Sequence, residues 1–177
     1  MKRGAALTDL KGVDKVYELN DGESYEHRFP TSAAFRFNPE FKRDTELVDS
    51  FLNVNGMLVC SQRLKDFIAS HQPSKVEYLP VAIHDLKGKV VCAPYFIVHP
   101  IDPVDCIDLA TSDVVWSELD STTFLFVRHL EIDAAKVPAD RILFRAKAHN
   151  EETILRREFA LAIAQAGFTG TGWMEIA

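Results

Sequence analysis

One stretch of sequence decides the fold, Asn55-Gly-Met-Leu-Val-Cys-Ser-Gln-Arg-Leu-Lys-Asp-Phe-Ile-Ala-Ser-His71. It predicts a strand that turns directly into a helix. Met57 to Cys60 form a short apolar run suited to a buried strand, and Ser61 can cap a helix by accepting a hydrogen bond from a backbone N–H one turn later. Pro73 stops that helix. Its buried face carries apolar residues at helical spacing, namely Leu64, Phe67 and Ile68.

Next along the chain, the sequence predicts an antiparallel hairpin. Val76 to Asp85 and Val90 to Ile101 are rich in Val, Ile, Tyr and Phe, and a turn lies between them at Leu86 to Lys89. Pro80 and Pro94 fall inside these runs. Each predicts an edge position or a bulge, because proline cannot donate a hydrogen bond to a neighbouring strand.

Shorter elements are predicted on both sides of this unit. Asn20-Asp21-Gly22 is a turn signal. The predicted strands are Lys15 to Leu19, Ala33 to Phe37, Val114 to Ser117, Phe124 to Ile132, Ile142 to Ala146 and Thr171 to Ile176. A short helix is predicted to place one face on the core through Phe41, Leu47, Val48 and Phe51.

The last helix has two possible starts. Asn150 can cap it, or Thr153 to Leu155 can form a brief strand with the helix beginning near Arg157. Gly167 is suited to the left-handed residue that ends a helix. In both cases the buried stripe consists of Phe159, Ala162, Ile163 and Ala166. Strands outnumber helices, so the predicted class is α+β, with a mixed, largely antiparallel sheet and two main amphipathic helices. Residues 1–32 are predicted to form an N-terminal arm or edge strand, and residues 33–177 a single domain.

Composition narrows the functional classes. The chain has 177 residues, a net charge of −6 and a pI near 5.5, which argues against binding to nucleic acid or to anionic lipid. The N-terminal residues contain no apolar run long enough for the core of a signal peptide, because charged residues break it up. No apolar run in the sequence reaches the length of a membrane span. We therefore expect a cytoplasmic protein. The three cysteines are isolated from one another in the sequence, which favours reduced thiols over a disulfide framework. They are Cys60, Cys92 and Cys106.

The net negative charge is concentrated in one segment. No lysine or arginine occurs between Lys89 and Arg128, and six acids do; elsewhere acids and bases balance. One interpretation is an acidic surface with an aromatic anchor that binds a basic partner. The other is a set of solvated turn and capping acids, with the tryptophan in the core. The candidate partner-binding residues are Asp102, Asp105, Asp108, Asp113, Trp116, Glu118 and Asp120.

The sequence contains few groups that could do chemistry. Cys60 is a candidate nucleophile because a helix start favours a thiolate, but a cysteine that ends an apolar strand is more often structural. A zinc site built from Cys92, His99 and Cys106 is possible in space, although their spacing matches no zinc motif. Neither a phosphate-binding glycine loop nor a calcium loop occurs, so we predict neither a metal nor a cofactor.

Several motifs together resemble one family. They are the Asn55 to Phe67 stretch, Pro94-Tyr95-Phe96, Val104 to Leu109 with Ser112-Asp113, Ile142 to Arg145, and Ala166-Gly167-Phe168-Thr169-Gly170. In order and spacing they are similar to the eleventh numbered immunity-protein family of bacterial polymorphic toxin systems, formerly a domain of unknown function. The resemblance runs from about Ala33 to the C-terminus. Arg156 departs from it, because a small capping residue is expected before the last helix.

The resemblance implies a protein that protects bacteria in interbacterial competition. Such a protein binds and neutralises a cognate toxin or effector by stoichiometric, non-catalytic contact, and no catalytic residues carry over. Two alternatives remain at this point. One is a cysteine-dependent hydrolase or transferase that uses Cys60, and the other is a scaffolding module that assembles through exposed sheet edges. The sequence leaves self-association open.

Overall fold

The predicted hairpin lies at the centre of a five-stranded sheet. The computed structural model of the chain describes residues 4–91 and 93–176. The strands of the main sheet are β1 (Ala34–Arg36), β2 (Ser50–Phe51), β3 (Leu58–Ser61), β4 (Val76–His84) and β5 (Tyr95–Pro100). Their spatial order is β1-β4-β5-β3-β2. β1 runs parallel to β4, and the other neighbours are antiparallel.

Two further hairpins and three helices complete the described residues. The hairpins pair β6 (Asp113–Trp116) with β7 (Phe124–His129) and β8 (Leu143–Ala146) with β9 (His149–Leu155). The α-helices are α1 (Tyr17–Asn20), α2 (Gln62–Ser70) and α3 (Arg157–Gln165), and short 3-10 helices span Pro39–Phe41 and Ala134–Lys136. The α+β class and the mixed, mostly antiparallel sheet are thus confirmed. Across residues 4–91 and 93–176, no helix is long and apolar enough to cross a membrane.

The main sheet has a hydrophobic core on each face. On β3, Leu58 and Cys60 belong to the core shared with α2 and α3, while Val59 between them belongs to the core on the opposite face. This alternation follows from the two-residue period of a strand. The helix core also includes Leu64 and Ile68 of α2, both fully buried. Burying each such side chain contributes about 2 kcal/mol, so this unit stabilises the fold strongly.

The turn from β3 into α2 forms as the sequence predicts. Ser61 Oγ accepts a hydrogen bond from the backbone N–H of Leu64 at 3.3 Å. Of the two prolines, Pro80 fits its predicted edge role, whereas Pro94 lies outside the strand and takes neither an edge nor a bulge position. Pro80 lies in a part of β4 that β1 does not reach, where β4 is locally an edge, and Pro94 precedes β5.

Residues near the N-terminus fill the core on the face away from α2 and α3. Leu7, Leu10, Leu19 and Tyr25 are all buried there. Leu7 forms an antiparallel β-bridge with Phe37, and Lys11 forms one with Ala34 of β1. This part of the chain therefore extends the main sheet beyond β1 and contributes directly to its packing.

Three predicted elements are wrong. Lys15 to Leu19 is not a strand, because it leads into α1, which presents Leu19 to the core. The predicted helix between Phe41 and Phe51 is absent: Phe41 ends a 3-10 helix and is exposed, whereas Phe51 lies in β2. β2 forms because it pairs antiparallel with β3, with Ser50 opposite Cys60 and Phe51 opposite Val59. The N–H of Ser50 also donates to the carbonyl of Thr169 at 3.0 Å, a contact distant in sequence. The described part of Thr171 to Ile176 contains no strand.

The second of the two starts for the last helix is confirmed. Asn150 lies inside β9, and α3 begins at Arg157. Arg156 occupies the N-cap position, but its side chain makes no capping hydrogen bond. Its guanidinium instead donates to the carbonyls of Val137 at 3.0 Å and Pro138 at 2.9 Å. Arg156 thereby ties the helix start to the loop before β8, a role that a small capping residue could not perform.

A candidate partner-binding surface on the β6–β7 hairpin

One face of the β6–β7 hairpin packs onto the rest of the molecule. Phe124 and Val127 of β7 pack against a third core cluster, which includes Cys106 and Phe144. Trp116 of β6 is the cross-strand partner of Phe124, and their rings meet edge-on with centroids 4.5 Å apart. This contact holds the hairpin in place, while 42% of Trp116 remains exposed.

The opposite face of the hairpin is apolar and open to solvent. Val115 pairs across the strands with Phe126, which is 55% exposed. A register shift beside this pair leaves Leu125 without a direct partner, and Leu125 is 70% exposed. Leu119 in the connecting loop is 100% exposed. Clustered exposed apolar side chains are typical of an interaction site.

Acidic side chains border these apolar residues. Asp113 lies in β6, and Glu118 and Asp120 lie in the loop between the strands. Asp120 accepts hydrogen bonds from the N–H and the hydroxyl of Thr122 at 2.9 and 2.6 Å, which lower the pKa of its carboxyl. We call the following eight residues the hairpin surface: Asp113, Val115, Trp116, Glu118, Leu119, Asp120, Leu125 and Phe126.

The other three predicted acids precede the hairpin. Asp102 forms an ion pair with Lys75 at 2.7 Å, and the hydrogen bond from Lys75 lowers the pKa of the Asp102 carboxyl. Asp108 accepts a hydrogen bond from the N–H of Ala110 at 2.9 Å and so closes a turn. Asp105 is exposed and forms no ion pair with any described residue. The structure therefore gathers four of the seven predicted residues on one hairpin. Of the other three, Asp105 forms neither an ion pair nor a turn-closing hydrogen bond with any described residue.

A groove of about 390 Å³ adjoins β7 and widens the acidic surface. Residues of β7, α1 and the β8–β9 turn line it, among them the acids Asp21 and Glu151. Asn150 Nδ2 donates to Asp21 Oδ1 at 2.7 Å, which links the two walls. Sequence reasoning missed this groove because its walls are far apart along the chain.

Sequence reasoning also missed the exposed apolar residues. The run Phe124 to Val127 is apolar at four consecutive positions. An alternating pattern would have been enough for a strand with one buried face. The unbroken run was therefore a signal that both faces of β7 are apolar, although only one of them packs on a described core.

A comparison with known proteins now identifies the family. A family model described as an immunity protein family (Imm11) matches residues 6–177. The chain belongs to this immunity-protein family. No curated protein matches it. The match begins well before Ala33, where the sequence resemblance begins, and it includes the N-terminal residues that pack into the core.

The motifs that resemble the family have structural roles in this immunity protein. Asp49, next to β2, accepts hydrogen bonds from Arg63 Nη2 at 2.7 Å, Ser61 Oγ at 2.7 Å and the N–H of Thr169 at 2.9 Å. These donors come from the Asn55 to Phe67 stretch and from the Ala166 to Gly170 motif. We call this group the Asp49 clasp. It joins the start of α2 to the chain that follows α3.

The clasp controls the ionisation of Asp49. Burial by itself raises the pKa of this carboxyl. Hydrogen bonds from Arg63, Thr169 and Ser61 outweigh burial and hold the pKa well below its ordinary value. Asp49 is therefore charged at neutral pH, and its role is to hold the fold together.

The cysteine alternative receives no support from the geometry. Cys60 is fully buried. Burial, together with the nearby charge of Asp49, raises the pKa of its thiol far above the ordinary value. A thiol in this position stays protonated at neutral pH and has no exposed face for a substrate.

The possible zinc site cannot be assembled from the described residues. Cys92 lies outside them. His99 is buried and its Nε2 lies 2.7 Å from the carbonyl oxygen of Glu23. Burial raises the pKa of the Cys106 thiol to about 11. Within residues 4–91 and 93–176, no cluster of three or more His, Cys, Asp or Glu side chains could hold a metal.

Proposed function

We propose that this immunity protein binds and neutralises a cognate toxin in the bacterial cytoplasm, by stoichiometric contact and without catalysis. The contact surface is the hairpin surface. The toxin belongs to a polymorphic toxin system used in competition between bacteria, and it presents a basic, partly apolar face. Family membership supports the immunity role, and the hairpin supports the place of contact.

One observation carries the choice of surface: the same hairpin combines exposed acids with exposed apolar side chains. Leu119, Leu125 and Phe126 supply apolar area that the described chain leaves uncovered. Asp113, Glu118 and Asp120 surround this area in a segment without lysine or arginine. Apolar anchors provide affinity, whereas like-signed charges at the edge select a basic partner and speed its approach.

The acids of this surface can pair with a basic side chain of the toxin without first breaking strong ion pairs within the protein. Asp113 lies 3.7 Å from Arg128, and both side chains are more than half exposed. Such an exposed pair contributes little to stability, so a partner can replace it. Glu118 forms no ion pair with any described residue.

The proposal is tested with the toxin encoded beside this gene. Co-expression should yield a stable complex and rescue growth. The triple variant Asp113→Lys, Glu118→Lys and Asp120→Lys should weaken binding by about a hundredfold or more, because three attractive contacts become repulsive. The salt dependence of the dissociation constant should flatten as well. Calorimetry at low and at raised salt measures both effects.

A matched control changes the net charge by the same amount elsewhere. Asp14, Glu40 and Asp140 are exposed and form no ion pair among the described residues. Their simultaneous replacement by lysine should leave the affinity close to that of the original protein. Equal loss in both triple variants would show that total charge matters and the hairpin does not. Absence of both complex and rescue for the unmodified protein would refute the binding function itself.

A further inference from the structure

The main sheet has an open edge along half of β4. β1 pairs with Ala82 to His84 of β4, whereas β5 pairs with the whole stretch from Val76 to Val81. Among the described residues, the half of β4 from Val76 to Pro80 therefore has a strand on one side only. An unpaired strand edge is a template for another strand.

The register identifies the backbone groups that this edge presents. The N–H of Ala82 donates to the carbonyl of Ala33 beside β1 at 3.0 Å, so Ala82 points away from β5. Because direction alternates along a strand, the backbone groups of Val76, Tyr78 and Pro80 point the same way. In the described chain, no backbone or side-chain group bonds to them on that side. The edge thus offers the N–H groups of Val76 and Tyr78 and three carbonyls.

Pro80 lies at a position of this edge where a proline does no harm. Its missing N–H would have pointed to the open side, so the pairing of β4 with β5 is intact. Pro80 still presents its carbonyl to the edge.

A groove of about 440 Å³ runs along the same part of β4. Its far wall is the chain from Glu26 to Thr31, which leads into β1. That chain turns instead of pairing with β4, because Phe29 N–H bonds to the carbonyl of Tyr25 at 2.9 Å and Ala33 N–H bonds to that of Pro30 at 3.1 Å. The groove therefore lies between the open edge of β4 and the chain from Glu26 to Thr31.

The side chains lining the groove indicate the kind of strand that fits. Its lining mixes polar groups with apolar side chains such as Phe29, Pro30 and Leu79, and it contains two acids and no base. Glu77 is already occupied, since its carboxylate accepts hydrogen bonds from the Ser24 hydroxyl and, at 2.8 Å, from the N–H of Tyr25. Glu26 is exposed at the rim.

We propose that this groove binds an extended segment of the toxin, which adds to β4 as a further strand. The segment hydrogen-bonds to the backbone of Val76 and Tyr78, places apolar side chains against the groove, and carries a basic residue opposite Glu26. The inference rests on the proposed function, since it takes the toxin as the partner. It gives that partner a second contact, recognised through the backbone and distinct from the hairpin surface.

Amide hydrogen exchange followed by NMR tests the edge residue by residue. In the free protein, the Tyr78 amide should exchange readily, while the amides of Glu77 and Leu79, which point to β5, should be protected. Adding the neighbouring toxin should slow exchange at Tyr78 by about a hundredfold or more. Protection of Tyr78 equal to that of Leu79 in the free protein, or no change on binding, would overturn the inference.

A pair of variants tests the same backbone bond by affinity. Tyr78→Pro removes the backbone N–H on the open side of β4, where Pro80 already lacks one. Tyr78→Val also removes the tyrosine ring but keeps the backbone N–H. Toxin binding should be about tenfold weaker for Tyr78→Pro than for Tyr78→Val, because a main-chain hydrogen bond is lost. If Tyr78→Pro fails to fold, the exchange measurement on the unmodified protein decides.

The outcomes separate this inference from the proposed function. Suppose that toxin binding depends on the hairpin acids, that the two Tyr78 variants bind equally well, and that the Tyr78 amide still exchanges readily in the complex. The groove would then not be a contact site, while the proposed toxin-binding function would stand. Loss of all toxin binding by the unmodified protein would remove both. Slowed exchange at Tyr78 together with normal binding by the hairpin variant would support the groove and move the main contact away from the hairpin.

Discussion

Two apolar stretches of this chain lie in opposite environments. Leu58, Val59 and Cys60 of β3 are buried, whereas Leu125 and Phe126 of β7 are mostly exposed. β3 has a strand on each side and leads into a helix that packs on it, while β7 pairs with no described strand other than β6. The difference teaches that composition does not decide burial; the number of neighbouring elements does. The β3–α2 unit holds the fold, and the β6–β7 hairpin keeps apolar area exposed, as proposed interaction surfaces do.

The largest expected effect is on the structural side of this contrast, at Gly170. This residue has φ +75°, and a Cβ added to it would overlap the carbonyl oxygen of Ser50 in β2. Gly170→Ala should lower the free energy of unfolding by about 3 kcal/mol, because it combines backbone strain with a clash against main chain. Urea denaturation measures this value.

Gly172→Ala is the matched control. No atom lies within 4 Å of the position a Cβ would take there. The free energy of unfolding should therefore change by less than about 0.5 kcal/mol. Equal stabilities for the two variants would show that the chain after α3 does not hold β2 in place.

The next effect is expected at the Asp49 clasp. Asp49→Asn removes a buried charged acceptor from its hydrogen-bond donors and should lower the free energy of unfolding by about 2 kcal/mol at neutral pH. The difference from the original protein should depend on pH. Because folding depresses the pKa of Asp49, its contribution is present above the ordinary value of 3.8 and is lost as the pH falls below it. The two stability curves should therefore converge in acid.

Asp66→Asn is a suitable comparison for the clasp. Asp66 is also paired, with Lys65 at 2.7 Å, but its side chain is 57% exposed. An exposed pair contributes little, so this variant should unfold almost as the original protein does. A gap between Asp49→Asn and the original protein that stays constant from neutral to acid pH would contradict the assigned role of the Asp49 charge.

The contrast also explains which parts of the fold the sequence could predict. The β3–α2 turn and the central hairpin depend on residues close in sequence, such as Ser61 capping Leu64, and their patterns were sufficient. β2 pairs with β3, but the N–H of Ser50 also bonds to the carbonyl of Thr169, far along the chain, and a local pattern carries no signal for such a contact. Lys15 to Leu19 was assigned to the wrong element because a single helical turn and a short strand share too few residues to be told apart.

The sequence pattern selected the acids of the candidate surface and missed its apolar residues. The absence of lysine and arginine between Lys89 and Arg128 is a property of the sequence itself, so the acids and Trp116 could be selected directly. Leu125 and Phe126 could not, because an apolar residue in a strand is expected to be buried. The groove beside β7 requires the β8–β9 turn to lie next to α1, which only the folded chain establishes.

The smallest expected change in the free energy of unfolding is at the hairpin surface. A small change there is informative, because it separates exposed side chains from those that support the fold. The double variant Leu125→Ser and Phe126→Ser should alter the free energy of unfolding by less than about 0.5 kcal/mol, since both side chains are mostly exposed. The same variant should weaken toxin binding by about tenfold or more, because it removes apolar anchors. Thermal unfolding and calorimetry measure the two quantities.

Phe124→Ser supplies the opposite case on the same strand. Phe124 packs on the third core cluster and against Trp116, so its replacement should lower the free energy of unfolding by about 2 kcal/mol. If the Leu125 and Phe126 variant loses as much stability as Phe124→Ser, then the exposed face of the hairpin supports the monomer and is not reserved for a partner. If it loses neither stability nor affinity, the toxin binds without the apolar part of this surface and the acids alone define the contact.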